Sequence, residues 1–134
     1  GEGLVSLIST DPKKKWAWTV VREWELDGNS LFIKTHPKSR WVYCDNTINQ
    51  KKSNVLTIFD IKNPEAAPKE IEFDKKVVHM EFNKAGNEVW VSLWDNDGEV
   101  VILDDKTHKV KKRIKGLFTP TGKFNVYNTT NDVY

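Results

Sequence analysis

The side chains able to do chemistry are few and scattered. Three histidines, His36, His79 and His108, stand at separations that match no metal-ligand spacing. His36, in Thr35-His36-Pro37, closes an apolar run and reads as a structural turn histidine. His79 stands beside Met80 and, by strand alternation, points away from it toward a neighbouring sheet. His108 falls in a polar turn and is expected to be exposed. The single cysteine, Cys44, lies inside the apolar run Trp41-Val42-Tyr43-Cys44 and reads as a buried structural thiol. One cysteine allows neither an intrachain disulfide nor a CxxCH haem attachment. Asp104-Asp105 sits at a position that repeats along the chain, which argues for hairpin geometry over acid–base work. GxSxG, Walker and GxGxxG patterns are all missing. No residue is assigned a catalytic or metal-binding role, and a self-sufficient active site is not expected.

The elements that would position any site are strands. Short runs rich in Val, Ile, Trp, Phe and Thr alternate with clusters of Asn, Asp, Gly and Pro, and no window holds a helical period over eleven residues or more. The runs repeat: Val55-Leu-Thr-Ile-Phe-Asp60 returns 44 positions later as Glu99-Val-Val-Ile-Leu-Asp104, and Arg40-Trp-Val-Tyr43 returns 48 positions later as Glu88-Val-Trp-Val91. A period of roughly 40–50 residues with four strands is the signature of a β-propeller blade. The expected fold is therefore all-β, with four-stranded antiparallel blades. A partial blade spans 1–27, with strands at Leu4–Ser9 and Trp16–Glu25. A whole blade spans 28–75, with strands at Ser30–Thr35, Arg40–Asp45, Asn54–Asp60 and Lys69–Phe73. A second whole blade spans 76–116, with strands at Val77–Phe82, Glu88–Leu93, Glu99–Asp104 and Lys109–Lys115. The inner strand of another, Gly122–Asn128, lies within 117–134. Such a ring segment leaves apolar blade faces open, so earlier blades are expected as partners, and Gly1-Glu2-Gly3 reads as a start inside a domain.

Net charge is +2 with 30% charged residues, so nothing demands nucleic acid or an anionic membrane. Lys13-Lys14-Lys15 after Asp11-Pro12 reads as a solvated turn. No apolar stretch approaches the roughly 20 residues of a membrane span.

Within the repeat, binding chemistry concentrates on the inner strands. Their alignment superposes Phe32, Met80 and Phe124, with Ser30, Phe32 and Lys34 on one side. These aromatics form either the wall of a flat apolar pocket on the axis or a plug between blades. Gly122 permits close approach to the backbone, so Thr119-Pro120-Thr121-Gly122 either leans over a planar ligand or makes a tight turn into the strand. Trp94 occupies a loop-facing position, whereas Trp16, Trp18, Trp24, Trp41 and Trp90 lie in expected strands and read as packing.

Four segments, Ser30-Leu-Phe-Ile-Lys-Thr-His-Pro-Lys-Ser39, Phe82-Asn-Lys-Ala-Gly-Asn-Glu-Val-Trp-Val-Ser92, Asp104-Asp-Lys-Thr107 and Thr119-Pro-Thr-Gly-Lys-Phe-Asn-Val-Tyr-Asn-Thr129, carry a family resemblance. In that order they resemble the C-terminal part of the haem d1 domain of cytochrome cd1 nitrite reductase. The resemblance implies an eight-bladed propeller carrying haem d1 on its axis, with haem c on a separate preceding domain. It implies a periplasmic homodimer that reduces nitrite to nitric oxide, fed by a c-type cytochrome or cupredoxin. Phe32, Trp94, Gly122 and Phe124 fall where the family packs residues against the macrocycle. The family's axial and substrate-side histidines have no counterpart here, so the isolated chain is expected to be inactive. The loop between Lys62 and Val77, and Asp95-Asn-Asp-Gly98, are shorter than the family's. A haem d1 biosynthesis or dehydrogenase propeller, and a non-enzymatic propeller used for protein binding, are the alternatives.

Overall fold

The computed structural model describes residues 3–26 and 29–120. Among them are ten strands and no helix: β1 (Gly3–Ile8), β2 (Val20–Leu26), β3 (Ile33–Lys34), β4 (Trp41–Asp45), β5 (Val55–Asp60), β6 (Lys69–Glu72), β7 (Lys76–Phe82), β8 (Glu88–Trp94), β9 (Gly98–Asp104) and β10 (Val110–Leu117). β1 and β2 form a two-stranded sheet. β3–β6 and β7–β10 form two four-stranded sheets, each an antiparallel meander in sequence order.

Burial follows strand order. β5 and β9 are buried along nearly their whole length, whereas β6 and β10 are largely exposed. A short apolar run buried on both faces needs neighbours on both sides. Those neighbours are the adjacent sheets. Trp41, Tyr43, Leu56 and Ile58 from the second sheet pack with Val77, Met80, Phe82, Val89, Val91 and Leu93 from the third. The alternate residue Cys44, with Phe59, faces the first sheet and meets Trp24 there. The Trp24 and Phe59 rings lie 5.0 Å apart. Each Leu, Ile, Val or Phe buried in this way contributes about 1.5–3 kcal/mol. Sheets stacked face to face, each with an inner and an outer edge, are the blades of a β-propeller.

Two buried carboxylates pin the second blade to the third, one at each end of β4. Asp45, fully buried, accepts from the backbone N–H of His79 in β7 at 3.0 Å. Asp105, just past β9, accepts from Tyr43 Oη at 2.8 Å and from Ser39 Oγ at 2.9 Å. Burial, followed by the Asp105 charge, pushes the Tyr43 phenol up.

The structure departs from the sequence reading in three places. Trp16 and Trp18 are 53% and 70% exposed instead of packed, because β2 starts only at Val20. Asp11 starts a run of turns whose backbone bonds, Lys14 to Asp11, Ala17 to Lys14 and Thr19 to Trp16, hold both indoles out of the ladder. His108 is half-buried instead of exposed: its ring meets Trp41 at 4.6 Å, and Nε2 has no hydrogen-bond partner. The inner strand of the second blade is expected over Ser30–Thr35, yet only Ile33–Lys34 pairs as ladder. Asp45 takes the bonds that a strand would have made, as described below.

Candidate functional site

The inner edge of the second blade is shaped by one side chain. Asp45 Oδ1 accepts from Leu31 N at 2.8 Å, Phe32 N at 3.1 Å and Ser30 Oγ at 3.1 Å. Its backbone N–H donates to Phe32 O at 3.1 Å. A carboxylate thus replaces a stretch of ladder and satisfies donors that would otherwise be orphaned. Phe32, so held, packs against the inter-blade core and borders a cleft of about 440 Å3 that Leu31, Leu4 and Val5 also line. Cys44 lines it too, its thiol 3.0 Å from Ser30 Oγ. Burial pushes that thiol up to about 11, which keeps it protonated and unreactive at neutral pH.

On the third blade, β7 carries a register irregularity between Val77 and Met80, and His79 adopts φ +65°. A non-glycine residue there is strained by about 1–2 kcal/mol. The Asp45 bond to His79 N holds it in place. The bulge breaks strict alternation: Met80 is fully buried in the inter-blade core, and His79 is buried as well. The His79 ring meets Phe32 of the neighbouring blade edge-on at 4.8 Å. Glu81 Oε1 lies 3.4 Å from His79 Nε2 and 2.8 Å from Lys34 Nζ, so a buried carboxylate joins the two blades once more.

Trp94 closes β8 and is 40% exposed. Its register partner across the ladder is Lys76, and cross-strand partners share a face. The Lys76 ammonium lies 4.9 Å from the indole centroid. Beside this pair the chain 118–120 crosses the end of the blade. Ser92 Oγ donates to Pro120 O, and Thr119 N donates to Asp95 O, both at 2.8 Å. The crossing is tight enough to require a glycine: a Cβ on Gly98 would lie 2.2 Å from Pro120 Cδ.

Phe32 and Trp94 therefore sit on adjacent blades, linked through the first half of β7 by His79 and Lys76. Gly122, Phe124 and the strand expected at Gly122–Asn128 lie outside the described residues. His36 is buried at its turn, with Nδ1 accepting from Lys38 N at 3.1 Å. Burial, then the Lys38 charge, lowers its pKa. It packs against Phe82 at 5.4 Å, inside the blade interface.

A half-exposed indole with an ammonium on its face offers apolar area to a flat group and a positive charge to an anion. Among the described residues no three His, Cys, Asp or Glu side chains gather into a metal-holding group. Asp45, Lys76 and Glu81 are missing from the sequence reading. Asp45 enters there only as the last residue of the strand expected at Arg40–Asp45.

Comparison with known proteins bears on the family and the fold. The chain is 39% identical to the nitrite reductase of Stutzerimonas stutzeri over an alignment of 160 residues, which covers all of the chain and 29% of that protein. It is 31% identical over 127 residues to the dihydro-heme d1 dehydrogenase of Pseudomonas aeruginosa PAO1, covering 94% of the chain and 24% of that protein. A solved structure of dihydro-heme d1 dehydrogenase NirN in complex with DHE superposes with a TM-score of 0.76 at 27% identity, over 93% of this chain and 26% of that one. The chain thus spans less than a third of the length of these relatives. The family model for the cytochrome D1 heme domain matches residues 1–129, and the chain belongs to that family.

Proposed function

We propose that this chain forms part of a periplasmic nitrite reductase that makes nitric oxide, and that it supplies wall residues of the haem d1 pocket. The observation that carries the reading is the 39% identity to a nitrite reductase along the whole chain. The half-exposed Trp94, held at the blade end, supports it. Haem d1 supplies the one-electron chemistry that takes nitrite to nitric oxide. The residues of this chain shape the cavity and exclude water. Phe32 and Trp94 offer apolar area to the macrocycle, with Gly122 and Phe124 assigned beside them from the sequence. Nitrite, haem c on another domain, a cytochrome or cupredoxin donor and a second copy of the protein belong to the parent molecule. The chain alone is inactive in this reading.

Loading of the parent protein with haem d1 tests it. Phe32→Ala, Trp94→Ala and Phe124→Ala are each expected to weaken cofactor retention through gel filtration, followed in the visible spectrum. Retention equal to wild type in all three sinks the pocket assignment. A second reading, a dehydrogenase acting on a haem d1 precursor, draws on the superposition with NirN at TM-score 0.76. Turnover assays with nitrite and with dihydro-haem d1 separate the two. A CxxCH site and paired histidines in the adjoining coding sequence point to the reductase.

A further inference from the structure

Lys75 and Lys76 are neighbours in sequence but have different partners. Lys75 reaches Asp97 at 3.6 Å and the buried Glu99 at 3.7 Å. Lys76, on the opposite side of the strand, faces the ladder partner Trp94 and rests its ammonium on the indole. The acids nearest to it in the Trp94 turn are engaged elsewhere: Asp97 pairs with Lys75, and Asp95 Oδ1 accepts from Asp97 N at 3.2 Å. Among the described residues no carboxylate pairs with Lys76. The ammonium on the face of the 40% exposed indole thus has no carboxylate partner among the described residues, at the blade end where the proposed pocket lies.

Resting on that reading, we infer that Lys76 binds an ionised carboxylate on the rim of the haem d1 macrocycle and fixes which side of Trp94 the macrocycle meets. The chemistry is complementary. A haem-type macrocycle has a flat apolar body and carboxylate side chains, and a charge-assisted N–H···O bond to one of them is stronger than a neutral bond. The ammonium occupies one face of the indole, which would leave the other face or the edge to the macrocycle. Lys76 is a binding residue that also orients Trp94, and the cation–π contact holds it ready before the cofactor arrives.

The test uses the apo parent protein, titrated with haem d1 and with haem d1 whose carboxylates are methyl-esterified, and followed by absorbance. Wild type, Lys76→Met and Lys76→Arg are compared, with circular dichroism as the folding control. Lys76→Met is expected to bind the free acid about tenfold more weakly, and Lys76→Arg to stay within about threefold of wild type. Esterification is expected to weaken wild type about tenfold and to leave Lys76→Met almost unmoved. If esterification costs both proteins the same factor, or if Lys76→Met binds the free acid like wild type, Lys76 does not hold a carboxylate and the inference falls alone. If wild type takes up neither form, the haem d1 reading falls and takes this inference with it.

Discussion

Asp45→Ala is the sharpest perturbation that the fold offers. The carboxylate is fully buried and accepts four hydrogen bonds, from Ser30 Oγ, Leu31 N and Phe32 N on one oxygen and His79 N on the other. The lost bonds do not count equally. Leu31 is 52% exposed, so water replaces most of what its N–H loses, as it does for the Ser30 hydroxyl. The His79 N–H is buried inside the stacked blades and would have no substitute, at a cost of about 1–3 kcal/mol, and the half-buried Phe32 N–H adds roughly 1 kcal/mol. The cost of opening this edge should therefore fall by about 2–4 kcal/mol, which speeds local amide exchange by roughly thirty- to a thousandfold. Hydrogen exchange read by mass spectrometry on peptides covering 29–34 and 76–82 measures this directly and needs no two-state unfolding. Asp45→Asn should show a smaller increase, because one oxygen survives while the amide N–H meets a donor. Exchange in both peptides within threefold of wild type for Asp45→Ala would refute the idea that this carboxylate holds the inner edge.

His36 and His108 are both held below the ordinary histidine range, chiefly by burial, so the folded state prefers them neutral. Their contribution to stability is complete above about pH 6.5 and is lost as pH falls toward their lowered values, at no more than about 1.4 kcal/mol per pH unit for each; thermal melts from pH 7.5 to 5 should decline, and His36→Asn should flatten the slope. Gly86 has φ +70°, and a Cβ there would lie 2.3 Å from the buried His36 Nδ1. Gly86→Ala should therefore destabilise by about 2–4 kcal/mol, and an unchanged melting temperature would show that the turn can relax. Cys44, 1% exposed with its pKa pushed up to about 11, should resist iodoacetamide at pH 8 until denaturant is added; rapid labelling of the native protein would show that the second blade opens.

The blade pattern was legible because it is written in local residue types. The matching runs at Val55–Asp60 and Glu99–Asp104 are the buried third strands of their blades, and the polar turns after them fall where Asp60 and Asp104 cap them. What escaped the sequence depends on partners far along the chain. Nothing near Asp45 shows that its carboxylate reaches His79, 34 residues on. The bulge at His79 is equally silent, because alternation assumes an unbroken ladder. Trp16 and Trp18 mislead for the opposite reason: their type favours a strand, and the turn begun by Asp11 overrides it. Trp94 could be singled out because a large aromatic followed by Asp-Asn-Asp-Gly has a turn on one side and little core to enter.

The long-range contacts also give the two proposed pocket walls different mechanical characters. Phe32 is fixed three times over: by its N–H on Asp45, by its ring against His79, and by the Glu81–Lys34 pair that ties the same two strands. A macrocycle meeting Phe32 would find the ring already ordered, so little rotamer freedom is lost on binding. Trp94 is half-exposed at a strand end and is held on one face by a single ammonium, a contact of about 0.5–1 kcal/mol at an exposed site. It can follow a shift in the ligand. In the proposed pocket, a rigid wall at the blade interface and an adaptable one at its rim would hold the body of a flat ligand while tolerating differences at its edge. That division suits a scaffold whose relatives include both a nitrite reductase and a dihydro-heme d1 dehydrogenase.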